Sequence, residues 1–255
     1  MAEILFLGTG AADWDISARN GFFRRNSAAL LNGELMLDCG SHIFDFAEKE
    51  GIPCLYDGVT DVLITHCHSD HFSPDSVRQI ADGQKLRLGC CGWVKDAVGE
   101  HENIEFKLLS PFCETEFGRY RVMPLLANHD VVLNGNRAAF HYIVTTPDGK
   151  KLFYGLDGAW FLRPSWNEMK NHRFDLMVFD CTVGDSDDWR IFEHNTIPML
   201  RKMIPEIVSC GLLAEGGKLV ASHMARTLHQ SHQHTAETLD KLNMITAFDG
   251  MTLPF

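Results

Sequence analysis

The sequence predicts an α/β fold in which two sheets pack back to back with helices on their outer faces. Three observations predict it. Short apolar runs bounded by Gly, Asn, Asp and Pro recur along the whole chain, which is the pattern of buried strands. Helical patterns follow strands in both halves, as layered α/β folds require. The chain has 255 residues, of which 45% are hydrophobic, enough for a sizeable core. We expect one domain over residues 1–255, built from two similar halves of about 1–115 and 116–255.

The elements follow in order. Ala2–Leu7 reads as a strand closed by Gly8-Thr9-Gly10. Ala28–Leu31 and Glu34–Asp38 read as a hairpin, with Asn32-Gly33 as its two-residue turn. Ser41–Lys49 is helical. Val62–Thr65 is a short buried strand ending at His66. Pro74–Ala81 is a helix with Ser73 as N-cap and Pro74 at its first position. In the second half, Arg119–Leu126, Ala139–Thr146 and Lys151–Tyr154 read as strands, the last two joined by Pro147-Asp148-Gly149. Asp175–Phe179 and Lys218–Ala221 are further strands. Asn195–Cys210 and Thr235–Leu242 are helices, the first open to a kink at Pro198 or Pro205.

Composition narrows the functional classes. The formal net charge of −11 repels long polyanions and disfavours an extended nucleic-acid partner. It leaves room for a small phosphorylated substrate, because divalent metals reverse the local field. No apolar run reaches membrane-spanning length, and the first residues lack the basic start of a signal peptide. The eight cysteines are scattered without a Cys-x-x-Cys pair, which suits reduced thiols in the cytoplasm.

The strongest chemical signal is Thr65-His66-Cys67-His68-Ser69-Asp70-His71, directly after a predicted buried strand. On an extended segment His66 and His68 point the same way, while Asp70 and His71 turn toward the next helix. Imidazole nitrogen and carboxylate oxygen suit zinc, manganese or iron. His129, Asp157 and His223 each follow a predicted strand. Taken singly, each is a polar residue at a strand end.

The spacing His66-x-His68-x-Asp70-His71 resembles the His-x-His-x-Asp-His motif of the metallo-β-lactamase superfamily. The remaining motifs stand in the superfamily's order. Asp38, in Leu37-Asp38-Cys39-Gly40, looks like its first motif, an acid behind the ligands. His129, Asp157 and His223 look like the third histidine, the bridging carboxylate and the last histidine. The resemblance implies a four-layer αβ/βα sandwich and two divalent ions, zinc or manganese with iron possible. One ion would take His66, His68 and His129, and the other Asp70, His71 and His223. Asp157 and a hydroxide would bridge them.

Gly8-Thr9-Gly10, Arg24-Arg25-Asn26-Ser27, Phe179-Asp180-Cys181-Thr182 and Ala247-Phe248-Asp249-Gly250-Met251 resemble one subgroup. It contains tRNase Z and the phosphoribosyl 1,2-cyclic phosphodiesterase of phosphonate catabolism. The second resemblance covers essentially the whole chain. Two departures matter. Residues 11–27 hold no cysteine, so that enzyme's structural zinc site is not expected. Its catalytic histidine stands further upstream of its Asn-Thr than any histidine does here. His194, in Glu193-His194-Asn195-Thr196, resembles instead the His-x-Thr element of tRNase Z, with Asp180 as the paired acid. No long basic insertion is present that would grip RNA.

The expected site therefore comprises His194, Asp180 and Asp70 in catalysis and the seven metal ligands. Arg24, Arg25, Arg226 and His232 are substrate contacts, with Arg19 a weaker candidate. Trp14, Phe22, Phe23 and Trp160 are candidate stacking faces, whereas His229 and His234 read as surface residues. The resulting function is a phosphodiesterase acting on a small cyclic phosphate, such as phosphoribosyl 1,2-cyclic phosphate, or on a nucleotide-like diester. The alternatives are a carboxyl-ester, lactone or thioester hydrolase and a non-catalytic metal-binding protein. A homodimer is compatible with all three.

Overall fold

The computed structural model describes residues 1–15, 22–129 and 138–255. Two seven-stranded sheets form its centre. The first holds β1 (Glu3–Gly8), β2 (Ala28–Leu31), β3 (Leu35–Leu37), β4 (Asp61–Leu63), β5 (Leu86–Cys90) and β6 (Ile104–Leu108). Its outermost strand beside β1 is β14 (Thr252–Pro254). The second runs through β7 (Thr115–Phe117), β8 (Tyr120–Leu126), β9 (Phe140–Thr145), β10 (Lys151–Gly155), β11 (Phe174–Asp180), β12 (Leu213–Ser222) and β13 (Met244–Thr246). Each sheet has three antiparallel pairings followed by three parallel ones, so the halves repeat one plan. β14 takes in the first sheet the place that β7 takes in the second. Its register sets Glu3 opposite Pro254.

Alternation sorts the side chains of the second sheet between two cores. In β11, Leu176 and Val178 join the core between the sheets. Met177 and Phe179, on the opposite face, join an outer core. β9 and β10 divide likewise, with Tyr142 and Tyr154 inside and Ile143 and Phe153 outside. Strands buried on both faces explain why their sequences are apolar runs rather than alternations.

The helices are α1 (Ile43–Glu50), α2 (Pro74–Gly83), α3 (Gly92–Val98), α4 (Arg163–Met169), α5 (Ile197–Ser209) and α6 (His232–Asp240). The first three place Ile43, Phe46, Val77, Ile80 and Val94 in the first core. α5 packs Ile197, Leu200, Ile204 and Ile207, one per turn of its buried face, into the outer core.

The local signals act as expected at several points. Asn32 and Gly33 both have positive φ (53° and 74°), as a two-residue turn matching the sheet twist requires. The Ser73 hydroxyl accepts from the Ser76 N–H, and Pro74 stands in the first turn of α2. Two predicted helix starts shift. α5 begins at Ile197 because Thr196 caps it, accepting from Met199 N–H at 3.0 Å. α6 begins at His232, three residues early, because Ser231 caps it. Pro198 falls in the first turn of α5, and Pro205 lies inside the helix. No disulfide occurs among the described residues, and no helix among them is long and apolar enough to cross a membrane.

Candidate metal centre

The site gathers where strands of both sheets end. Asp38 follows β3, His66–His71 follow β4, and His129 follows β8. Asp157 follows β10, Asp180 ends β11, and His223 follows β12. Three of these residues leave their strands in the left-handed region: Asp38 (φ 62°), Asp157 (φ 49°) and His223 (φ 56°). For residues with a Cβ this costs of order 1 kcal/mol or more each. Strand propensity says nothing of such turns, yet they aim Asp157 and His223 into one cleft and Asp38 at the back of His71.

The seven expected ligands fall into two groups that share one residue, and a third group, Asp157, Asp180, His194 and His223, overlaps them. His66, His68, His129 and Asp157 form the first, and Asp70, His71, Asp157 and His223 the second. Within each, the ligand atoms lie within 4.8 Å of one another. The two oxygens of Asp157 are divided between them. Oδ2 is 3.2 Å from His66 Nε2 and 3.4 Å from His129 Nε2. Oδ1 is 2.8 Å from His223 Nε2 and 3.3 Å from His71 Nε2. His68 Nδ1 lies 3.1 Å from His129 Nε2. Asp70 Oδ2 lies 3.3 Å from His223 Nε2.

The His68–His129 and Asp70–His223 approaches have hydrogen-bond geometry, but not every converging atom is satisfied. His66 Nε2 and Asp157 Oδ1 are buried without any hydrogen-bond partner. Converging imidazole lone pairs and orphaned carboxylate oxygens are what a divalent cation satisfies, so the residues fit two such ions. Five imidazoles and two carboxylates form a donor set acceptable to zinc, manganese or iron.

The residues behind the ligands fix which nitrogen points inward. His71 Nδ1 donates to Asp38 Oδ2 at 2.8 Å. The other oxygen of Asp38 accepts from Thr65 N–H and Thr65 Oγ1–H, both at 2.8 Å. With its proton so committed, Thr65 Oγ1 accepts from His66 Nδ1 at 3.1 Å. Thr182 Oγ1 does the same for His223, giving its proton to the His223 carbonyl and accepting from Nδ1 at 2.7 Å. In all three histidines Nε2 is left as the donor to a cation.

Electrostatics divide the two groups. Burial pushes His129 down to about 3 and also lowers His66. In the second group burial opposes the charge of His71 and His223, but Asp157 with its neighbouring carboxylates overrides it. His71 is raised well above its ordinary value, and His223 is pushed up to about 10. A cation bound there would compete with protons for the same nitrogens.

His194 stands beside both groups. Its Nδ1 donates to Asp180 Oδ2 at 2.7 Å. Asp180 is fully buried and also accepts from Thr182 N–H at 2.7 Å and Gly158 N–H at 3.2 Å. Burial works against the imidazolium, but the Asp180 carboxylate raises the His194 pKa. Its ring stacks on His223 with centroids 5.7 Å apart. The cleft over the ligands measures about 400 Å³ and is lined also by Ala11, Asp13, Trp189, Arg190 and Glu193.

The expected substrate contacts lie elsewhere. A larger cavity of about 610 Å³ is lined by Trp14, Phe22, Phe23, Arg24, Arg226, His229 and His232, and it shares Ala225 with the cleft. Arg24 is buried in its wall, where Nη1 donates to the Ala247 carbonyl and Nη2 meets His232 Nδ1 at 2.9 Å. Arg25 lines neither cavity. It binds Asp45 at 2.8 Å and Asp249 at 3.4 Å, so the second arginine of the pair holds the loop to α1 and the final segment. Arg226 is exposed and bonds through Nε to the Asp13 carbonyl. His229 is half-buried and donates to the Cys181 carbonyl at 2.7 Å, whereas His234 is exposed. Trp160 lines a separate small cavity. Arg19 lies outside the described residues. Sequence reasoning missed Trp189, Arg190 and Glu193. Their one signal was proximity to His194.

Comparison with protein-family models finds no match, and comparison with curated protein sequences finds none either. Solved structures do match. The metallo-β-lactamase fold protein YhfI from Bacillus subtilis is 12% identical, with a TM-score of 0.74 over 100% of both chains. A diphosphatase from the PhnP family is 17% identical, with a TM-score of 0.74 over 100% of this chain and 98% of that one. Zn²⁺-bound PqqB from Methylobacterium extorquens is 16% identical, with a TM-score of 0.74 over 99% of this chain and 100% of that one. The chain thus has the metallo-β-lactamase fold.

Proposed function

We propose that this protein is a two-metal hydrolase that cleaves a small phosphodiester. The observation that carries the reading is the placement of His194 and Asp180 against a divided Asp157. Two ligand groups share one carboxylate, and His194, paired with Asp180 outside both, faces the same cleft. His66, His68 and His129 with Asp157 would hold one divalent ion. Asp70, His71 and His223 with Asp157 would hold the other. When bound, such a pair supplies a nucleophile near neutral pH and stabilises the charged oxygens of an in-line displacement.

The chain's own groups supply the rest. Asp180 takes the Nδ1 proton of His194 and leaves Nε2 to exchange a proton in the cleft. The carboxylate behind it favours the imidazolium, the form able to protonate a departing alkoxide. Such a donor matters most for a leaving group of high pKa, such as the alkoxide of an alkyl phosphodiester. That a structurally similar protein is a diphosphatase, and another binds Zn²⁺, agrees with this reading. Arg24 and His232, across Ala225, are placed to meet a more distant part of a substrate.

Hydrolysis of bis-p-nitrophenyl phosphate beside a p-nitrophenyl carboxylic ester, with Mn²⁺ or Zn²⁺ added, tests the proposal. Turnover of the phosphodiester alone supports it. Turnover of the ester alone replaces it with the carboxyl-ester reading. Two bound metals with no turnover of either replaces it with metal binding.

A further inference from the structure

We infer that Trp189 and Arg190 form the subsite for the group that departs from phosphorus, and that this group is a nucleoside. The inference rests on the phosphodiesterase reading above. It begins from the short turn Trp189–Phe192, which precedes His194. Within that turn Trp189 and Arg190 line the metal cleft, together with Glu193 and His194 beyond it. Trp189 is the one indole, phenol or phenyl ring lining the cleft among the described residues. It is 70% exposed. An indole exposed at the mouth of a polar cleft leaves a large ring face open to a ligand that enters it.

The turn is tied rigidly to the histidine. The Arg190 carbonyl accepts from Glu193 N–H at 2.9 Å and from His194 N–H at 2.8 Å. Asp188 caps its start by accepting from Arg190 N–H at 2.9 Å. The backbone of Trp189 is therefore tied to that of His194. This coupling decides which part of a substrate meets the indole. Hydrolysis breaks one P–O bond, adds hydroxyl to phosphorus and returns a proton to the oxygen that leaves. If His194 provides that proton, the leaving oxygen lies against His194. Whatever that oxygen carries then extends along the same turn, over Trp189.

The chemistry of the platform defines the group. The Arg190 guanidinium sits 5.7 Å from the Trp189 ring centroid, and it is half-buried by its contact with Asp188. An indole face beside a planar cation accepts a flat heteroaromatic ring by stacking, without reading its edge. Ala11, Ala12 and Asp13, also in the cleft, offer no such face.

Binding of adenosine 5′-monophosphate and of ribose 5-phosphate to the metal-loaded protein, measured by calorimetry, tests the inference without requiring turnover. The first probe should bind wild type roughly 5- to 100-fold more tightly, the range of one base stacked on an aromatic side chain. Trp189→Ala should erase that difference while leaving ribose 5-phosphate affinity and metal content unchanged. Trp189→Phe should keep most of it. Equal affinities in wild type, failure of both probes to bind, or a loss in Trp189→Ala that falls equally on both would overturn the inference. Failure of the phosphodiesterase reading shows separately, as absent turnover of bis-p-nitrophenyl phosphate.

Discussion

Asp38→Asn isolates the role of a carboxylate that touches no cation itself. Asp38 is fully buried and accepts three hydrogen bonds, two from Thr65 and one from His71 Nδ1. Asparagine has the same shape and tolerates the positive φ of 62° at this position, so the backbone need not move. Its amide offers only one acceptor atom. Turning the oxygen to Thr65 keeps two bonds and the chain from Thr65 to His66. The amide N–H then faces His71 Nδ1, which can only accept. The His71 proton must shift to Nε2, and that removes a ligand from the Asp70–His71–His223 group alone. Loss of such a supporting acid typically costs 10- to 100-fold in metal affinity, or about 1.4–2.8 kcal/mol. Chelator competition with Zn²⁺ on the metal-free protein should show one site weakened by that factor and the other near wild type. Two sites of wild-type affinity, or equal weakening of both in a protein that still melts cooperatively, would refute the tautomer argument.

Other consequences are equally open to measurement. His194→Ala should bind two metals and lose roughly 10²–10⁴-fold on a phosphodiester with an alkyl leaving group, but far less on p-nitrophenolate; equal losses would remove the proton-donor role. Arg25→Ala removes the charged hydrogen bond to the half-buried Asp45 and the ion pair with Asp249 and should cost about 1.5–3 kcal/mol in urea unfolding; a shift in KM without loss of stability would instead make Arg25 a substrate contact. Burial lowers the His229 pKa, while Nε2 donates to Cys181 and Nδ1 accepts from Thr235. A depressed folded-state value gives stability that is complete above the ordinary histidine pKa of about 6.5 and is lost as pH falls below it. His229→Asn should therefore show a shallower decline in stability below about pH 6.5 than wild type, and parallel curves would contradict this.

The sequence revealed most where one residue type carries the whole physical cause. Asn32-Gly33 needs positive φ, Ser73-Pro74 starts a helix, and consecutive apolar residues such as Leu176 to Phe179 can only be doubly buried. It was silent about β5, β6 and α3. There Arg87, Glu105 and Lys107 break the apolar pattern because they form ion pairs along the sheet rather than facing solvent singly. The ligand cluster was legible because five histidines and two aspartates have few other reasons to stand at strand ends. The arginine pair was not. Arg24 and Arg25 are adjacent and chemically identical, and only the position of Asp249, more than two hundred residues later, sends one into a cavity wall and the other into an ion pair. Trp189 was invisible for a related reason, since nothing local separates an aromatic at a cleft mouth from one in a core.

The seat of β14 bears on how the chain is made. On the side of β1 away from β2, Glu3 to Leu5 pair with Thr252 to Pro254, across nearly the whole sequence. Synthesis at about 5–20 residues per second leaves that edge of the first sheet without its neighbour for roughly 10–50 s. The edge carries Ile4, Leu5 and Phe6, an apolar strand that any other chain in extended form can extend. A nascent molecule therefore passes through a long interval in which its own last strand competes with strangers for the same hydrogen bonds. Crowded expression should favour the strangers, and slow or chaperoned expression the native strand.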